Sequence, residues 1–575
     1  LQKFRWQLLR RRSFTFFRRK FRRSSQETLI MIHMKKQTIA ILLLAAFAAD
    51  AGAQTVADAL RFSDNNYYGT ARSISMGNAF TALGGDLGSI SLNPAGSAVN
   101  NFSQATLTPN ISIISSSAKY NAMPSIADMF GPATKNNTAR FAMPNVGTII
   151  NMNTGNKIGL KSISFGIVAN ASANYLDDVA ASGRNTSTTY AGYLAAKSAG
   201  INSASINDNA YYNTDIPWQT IVGWQSMLIS NYNSNNGDYI GVTEKATDMG
   251  SGKYDISLPD AIDQRYGRRS HGNKYDIVFN IGANISDRFF VGANLGVTSI
   301  DYSMNQYFKE IAVNPDSFKI DMADNAGNVQ TTYFNQLRSR YSYDADGAGV
   351  YAKFGFIAVP VQGLRVGAAI QTPTANFITE HWQLAGETYY MSSNFDASAQ
   401  SPRGEYKYKF VSPYRVNVGV AYTFGSLGVV SADYELCDYS TMKFSETETN
   451  DNSSFEAVNG DIKNFAGAAH MLRLGAELKV LPSFAVRAGY NISTSGERYF
   501  ENDVKKTPKA YRTAISGGLG YSSKGSFFCD LAVRGTKFPY EYIYPYDTYI
   551  KDALSPEIQY RKRIWDVVMT FGWRF

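Results

Sequence analysis

Beyond its first 53 residues the chain carries only His271, His381 and His470, together with Cys437 and Cys529. A nucleophilic serine or aspartate needs a histidine within hydrogen-bond reach, and a metal site needs ligands at short, regular spacings. Neither pattern surrounds these residues, so the sequence predicts no enzyme, no metal site and no cofactor. The two cysteines fall on opposite parities of strands that are not neighbours, which predicts free thiols even in an exported protein. Cations are more suggestive. Arg415, Arg473, Lys479 and Arg487 lie on the polar parity of alternating segments, where each could meet a ligand carboxylate inside an otherwise apolar lumen. Asp433, Glu435, Glu477 and Asp530 share that parity, so the same cations could instead be struts of paired charge in a wall. Haem would want an axial His or Tyr, and His271, His381 and the run Tyr540, Tyr542, Tyr544 and Tyr546 are available. The tyrosine run reads more simply as an interfacial and loop-packing cluster.

The elements that must position these groups alternate with period two. In the last segment Trp565, Val567, Met569, Phe571, Trp573 and Phe575 share one parity, while Asp566, Thr570, Gly572 and Arg574 share the other. The same split recurs over 484–492, 472–480 and 414–423. A soluble antiparallel sheet with one wet face also alternates. Here, however, the polar parity is rich in glycine and opposed charges, and the segment ends carry aromatic girdles, as in a barrel whose alternate residues face lipid. No apolar run after the leader reaches helical spanning length, and the mean hydropathy is −0.24. The expected fold class is therefore all-β, a transmembrane antiparallel β-barrel of about 14 strands. Its segments fall near 103–116, 138–153, 160–175, 273–286, 288–303, 341–360, 363–378, 403–423, 427–443, 466–480, 482–495, 510–523, 525–536 and 560–575. Short turns alternate with long connections, the asymmetry of short periplasmic and long extracellular loops. The longest connection, 176–272, should hold a helix with Asp215 as N-cap and Pro217 in its first turn. Its Trp218, Ile221, Val222, Trp224 and Leu228 would either pack the loop onto the barrel or form a groove that captures a hydrophobic ligand.

The net charge of +9 is misleading. Residues 1–33 hold ten Lys or Arg against Glu27 and carry that whole excess. Met34-Lys35-Lys36, an apolar run from Ile39 to Ala49 and Ala51-Gly52-Ala53 then read as a signal peptide, cleaved before Gln54. A signal peptide works from the N-terminus, so 1–33 is expected to be a non-translated extension and 34–53 the leader. The remainder has 44 basic and 45 acidic residues, which removes any argument for nucleic acid. A barrel of this strand number has a lumen too wide for its own side chains to close. Residues 54–101, rich in small residues, are the expected N-terminal hatch, followed by the barrel over 102–575. The last strand, ending in Phe575, is the expected signal for the outer-membrane barrel assembly machinery. A monomer in outer-membrane lipid is expected.

Within the hatch, Met76-Gly77 through Phe80 to Ala82 and then Asn93-Pro94-Ala95-Gly96 resemble the hatch signature of the FadL-type family of outer-membrane transporters for long-chain fatty acids and other hydrophobic compounds. Leu364-Arg365-Val366-Gly367, 416–422, Ala432-Asp433-Tyr434, 472–477 and 486–490 extend the resemblance over most of the mature chain except its large loops. The resemblance implies a fourteen-stranded barrel with a hatch, capture of a hydrophobic ligand at the outer loops, binding in the lumen and release through an opening in the third strand. Gly166 and Asn170, within 160–175, are the expected places for that opening. Two other roles stay open: a surface shuttle of a secretion system on the same barrel, and haem uptake. An energised receptor would carry a plug far longer than the roughly 48 residues of 54–101.

Overall fold

The computed structural model describes residues 54–575 apart from 125–129, 214, 234, 324–328, 448–452 and 551–552. The expected leader and the segment before it lie outside the described residues. The alternating segments form fourteen antiparallel strands: β1 Gln104–Asn121, β2 Thr134–Asn153, β3 Leu160–Asn174 continued by Asp177–Asn185, β4 Ile262–Ile285, β5 Phe289–Ala312, β6 Val329–Val361 and β7 Leu364–Gln371 continued by Ala375–Tyr390. They continue with β8 Gly404–Val411 and Arg415–Thr423, β9 Gly428–Asp438 and Lys443–Glu446, β10 Ala468–Leu481, β11 Phe484–Thr494, β12 Tyr511–Ser522, β13 Phe527–Ile543 and β14 Glu557–Arg574. Each strand pairs with the next, and β1 pairs with β14 from Gln104↔Arg574 to Asn121↔Glu557, so the sheet closes. Closure pairs the strands around the circuit, which is what allows them to cross hydrocarbon, with one exception on the upper part of β2. The outward parity is oily and exposed, as at Phe165, Ile167, Phe279, Ile281, Phe354 and Trp565, while the inward parity is polar and buried. This is an outer-membrane type of barrel.

The strands are longer than their alternation predicts. β4 starts at Ile262 and β6 at Val329, and β5 runs on to Ala312. The connection expected over 176–272 therefore shrinks to 186–261. Above the lipid belt the sidedness inverts: Phe308, Phe334 and Leu337 face inward and are buried, while Arg265, Arg338 and Arg340 on the outer face meet water. An oily-out pattern cannot detect strands once water replaces hydrocarbon outside.

Residues 54–101 enter the lumen from below. Helix α1, Val56–Ser63, opens on a capping box of Thr55 with Asp58, and α2, Ala71–Ser75, opens on Thr70. Two 3₁₀ turns follow, Gly88–Ser91 and Pro94–Val99, the second capped by the Asn93 side chain. From above, the 186–261 connection folds into the barrel mouth. Helix α3, Tyr190–Ser198, has its first N–H bonded to Glu310 of β5, with Thr189 as N-cap. Helix α4 spans Trp218–Gln225, begins directly after Pro217 with no side-chain cap, and stops before Met227, whose φ is +56. Asp215 therefore does not cap it, and Leu228 lies beyond its end. Pro217 supplies the helical start that a cap would otherwise provide.

Candidate functional site

The hatch makes its closest approaches to the wall at glycines that leave room for its backbone. Met76 and Gly77 lie on Gly475 and Gly489 of β10 and β11, Pro94 on Gly292 of β5, Asn93 on Gly355 of β6 and Thr81 on Gly367 of β7. A Cβ at Gly489 would collide with the Gly77 nitrogen. Gly77 has φ +62, and its own Cβ would stand 2.9 Å from the Leu474 carbonyl oxygen. The motif residues Phe80, Ala95 and Gly96 are buried in this seam. Around the glycines, wall side chains donate to hatch carbonyls: Arg365 to Leu83 at 2.6 Å, Lys353 to Ser91 at 2.7 Å and Asn294 to Ile90 at 2.9 Å. In the other direction Thr81 N–H donates to the Asp433 carboxylate at 2.7 Å.

Of the four cations expected to meet a carboxylate, Arg415 lines the luminal cavity, and three of the four hold protein carboxylates. Arg415 bonds Glu435 at 2.8 Å and donates to the Ser63 carbonyl of α1 at 2.6 Å. Arg473 shares Glu435, and Arg487 bridges Glu477 at 2.6 Å and Asp530 at 2.5 Å. Glu477 also holds Arg72 of the hatch at 2.9 Å. A buried cation with a protein carboxylate already in place gains little by exchanging it for a ligand. Lys479 is exposed near the short-turn end of β10 and does not line the luminal cavity.

Beside α1 of the hatch the lumen holds a cavity of about 340 Å³. Its apolar lining comes from Leu60 of α1, Tyr175, Tyr302, Tyr439, Phe538 and Ile564. Its cations are mostly paired: Arg61 with Asp58, Arg268 with Asp177 at 3.4 Å, and Arg512 with Asp64 at 3.0 Å. Lys562 differs. Among the described residues no carboxylate reaches it within ion-pair distance, and its Nζ stands 5.0 Å from the centre of the Phe538 ring. Glu497, in the connection after β11, also lines the cavity. Burial, and then the like charge of Glu541, pushes it up to about 7. Lys562 shares the inward parity of Asp566, so the alternation of β14, followed two turns of the pleat further up, is the signal that could have found it.

The cavity reaches Ala173, Asn174, Tyr175 and Asp177, where the wall is broken. The β2–β3 ladder runs from Asn153↔Ser162 to Asn145↔Asn170 and ends there, while β2 continues to Thr134 paired only with β1. Beyond a register shift at Ala171/Ala173, β3 turns into the lumen and lies behind β1, with Ser116 donating to the Asp178 carbonyl. Gly166 sits inside the regular ladder, and Asn170 is the last rung before the break. Two side-chain bonds cross the gap, Asn136 to Asp178 at 3.2 Å and Arg140 to the Gly272 carbonyl at 3.2 Å.

In the 186–261 connection Ile221 and Leu228 are fully buried, and Trp218 packs on Tyr211 and on Trp382 of β7, its ring 5.8 Å from the latter. Trp224 stands on Tyr239 within the same connection. These residues pack the lid, and only the part-buried indole rings of Trp218 and Trp224 offer surface to a ligand. Tyr546 is buried among Tyr190, Tyr193 and Phe308, whereas Tyr540 is exposed on the outer wall. His381 pairs with Glu405 at 3.1 Å, and His470 bonds Tyr434 at 2.7 Å.

No family model and no curated protein matches the sequence. Among solved structures the chain is similar to a FadL homologue of Pseudomonas aeruginosa, at 11% identity and a TM-score of 0.47, covering 88% of this chain and 99% of that one. It is similar also to the P. putida toluene transporter TodX, at 12% identity and 0.46, over 89% and 99%. The Ralstonia pickettii toluene transporter TbuX stands at 13% and 0.43, over 89% and 99%.

Proposed function

We propose that this barrel is a passive outer-membrane channel for small hydrophobic molecules, with long-chain fatty acids as the expected class. Molecules are captured at the lid beside Trp218 and Trp224, held in the luminal cavity and released sideways between β2 and β3. The observation that carries this reading is the coincidence of cavity and wall break at Ala173–Asp177. A water-filled porin would have no use for a plug below, a lid above and a gap in the side. A hydrophobic solute that leaves through the wall enters hydrocarbon directly, without crossing the polar lipopolysaccharide layer. Lys562 is the cation for a carboxylate head, and Phe538 and Tyr302 are the rings for its chain.

The test uses cells that express the intact protein and a fluorescent long-chain fatty acid. Cysteines at 136 and 178, joined by a short bifunctional reagent, should block uptake, and cleaving the linker should restore it. Native mass spectrometry of the clamped protein should still find the fatty acid bound. Uptake that is indifferent to the clamp removes lateral release, and the absence of any bound lipid removes the whole reading.

A further inference from the structure

Glu380 of β7 is buried, 3% exposed, on the same rung of the wall as Tyr302. One of its oxygens accepts from the Tyr343 hydroxyl at 2.8 Å and the other from the Gln54 side-chain amide at 2.5 Å. Among the described residues no Lys, Arg or His lies within ion-pair distance of it. Asp58 of α1 repels it, and the cation of that helix, Arg61, is already paired with Asp58. An ionised carboxylate removed from water without a counter-charge is strongly disfavoured. The protein has nevertheless placed this carboxyl group against Gln54, itself 7% exposed. Thr55 is already the N-cap of α1, so nothing but Gln54 separates the expected cleavage point from the first helix.

We infer that the missing counter-charge is the α-ammonium of Gln54, created when the leader is removed after Ala53, and that this ammonium and Glu380 form a buried ion pair that pins the top of the hatch to the wall. The inference rests on the expected cleavage site, not on what the channel carries. Hydrolysis of the Ala53–Gln54 peptide bond leaves a carboxylate on the departing leader and an amine on Gln54, which is protonated near neutral pH. An ammonium at a helix N-terminus is unfavourable by itself because the helix dipole is positive there. Two acids, Glu380 on the wall and Asp58 in the first turn, offset that. An uncleaved precursor has a neutral peptide nitrogen at this position and lacks the pin, so processing and closure of the lumen are coupled.

The experiment starts from protein purified out of outer membranes, with its N-terminus sequenced. Its α-amine is then labelled by reductive methylation at neutral pH and compared with that of Glu380→Gln, which keeps the size and hydrogen-bonding reach of the side chain. The wild-type amine should react about tenfold more slowly, because pairing raises its pKa by roughly one pH unit or more. Asp58→Asn should give a smaller acceleration than Glu380→Gln. A precursor with one alanine inserted between Ala53 and Gln54 displaces the charge, and its amine should react as fast as that of Glu380→Gln. Equal rates in wild type and Glu380→Gln would overturn the proposal. So would cleavage at another bond, or a blocked terminus in which the Gln54 amine has attacked its own side-chain amide with loss of ammonia. Fatty acid uptake enters none of these readouts, so failure here is distinguishable from failure of the transport reading.

Discussion

Alanine at Gly489 should dislodge the hatch while leaving the barrel intact. Gly489 is held in register by β10 on one side, opposite Gly475, and by β12 on the other, opposite Ser516. Its backbone has no left-handed torsion to lose. The added Cβ would meet the Gly77 nitrogen and the Met76 carbonyl carbon, with Ser516 Oγ at 2.7 Å. The wall is fixed by two ladders, so the hatch must give way. Gly77 cannot slide along the same wall to escape, because Leu474 O and Tyr490 N of β10 and β11 already stand 2.9 and 3.0 Å from its Cβ position. Overpacking of this kind costs about 1–3 kcal/mol. At about 1.4 kcal/mol per tenfold, the fraction of time that Met76–Gly77 spends undocked should rise roughly 5- to 150-fold. In planar bilayers this should appear as brief, frequent ion-conducting openings that wild type rarely shows. Gly517→Ala is the control, since a Cβ there meets only the Arg487 carbonyl oxygen at 3.7 Å. If Gly489→Ala and Gly517→Ala both conduct like wild type, the hatch does not seal the lumen at this seam.

Lys562→Ala should weaken binding of a long-chain fatty acid about 10- to 100-fold, the worth of a hydrogen bond to a charged group, and leave an alkane of similar length unaffected; equal losses for both, read by calorimetry in detergent, would mean that Lys562 only shapes the cavity. Glu497 stands at about 7, above the ordinary range of glutamate, through burial and then the like charge of Glu541. The folded protein therefore keeps a proton there that the unfolded chain releases, so stability falls as pH rises from about 4.5 to about 7 and is flat above. Heat unfolding in detergent should show that slope in wild type and lose it in Glu497→Gln, and an unchanged slope would place its cause elsewhere.

The strands were legible in sequence only where lipid touches them. Between Trp565 and Trp573 one face meets hydrocarbon and the other a polar lumen, so parity alone marks the element. Higher up, in β4 and β6, the inward side is the oily one and the outward side carries Arg265 and Arg338, so the same rule misses real strand. The candidate site was legible to a similar depth. Inward facing could be read for Arg415, Arg473 and Arg487 from parity, but the choice between ligand and strut depended on Glu435, Glu477 and Asp530 lying directly across the wall and on the Ser63 carbonyl below. The glycines of β10 and β11 read as small inward residues, yet nothing local says that Met76 and Gly77 rest on them, because that contact joins segments remote in sequence.

How the lumen is held together bears on which way a solute leaves. Downward, the hatch is fixed by close backbone approach at Gly475, Gly489, Gly292 and Gly355, by donors such as Lys353 and Arg365, and by the Arg72–Glu477 ion pair. Moving it as a body breaks many of these contacts together, and charge-assisted bonds in a buried setting are the costly ones to leave unmade. Sideways, above Asn145↔Asn170, there is no ladder to break, and the gap is crossed by the bonds of Asn136 and Arg140. Both bonds lie at the part-buried edge of the wall, where water can replace a lost partner. Parting them is the smaller cost, and it exposes the solute to hydrocarbon, which rewards an apolar molecule by about 25 cal/mol per Å² relative to water. A polar solute receives no such return at the same opening. On the proposed route the gap selects for hydrophobic cargo through the energetics of the exit, whatever the cavity admits.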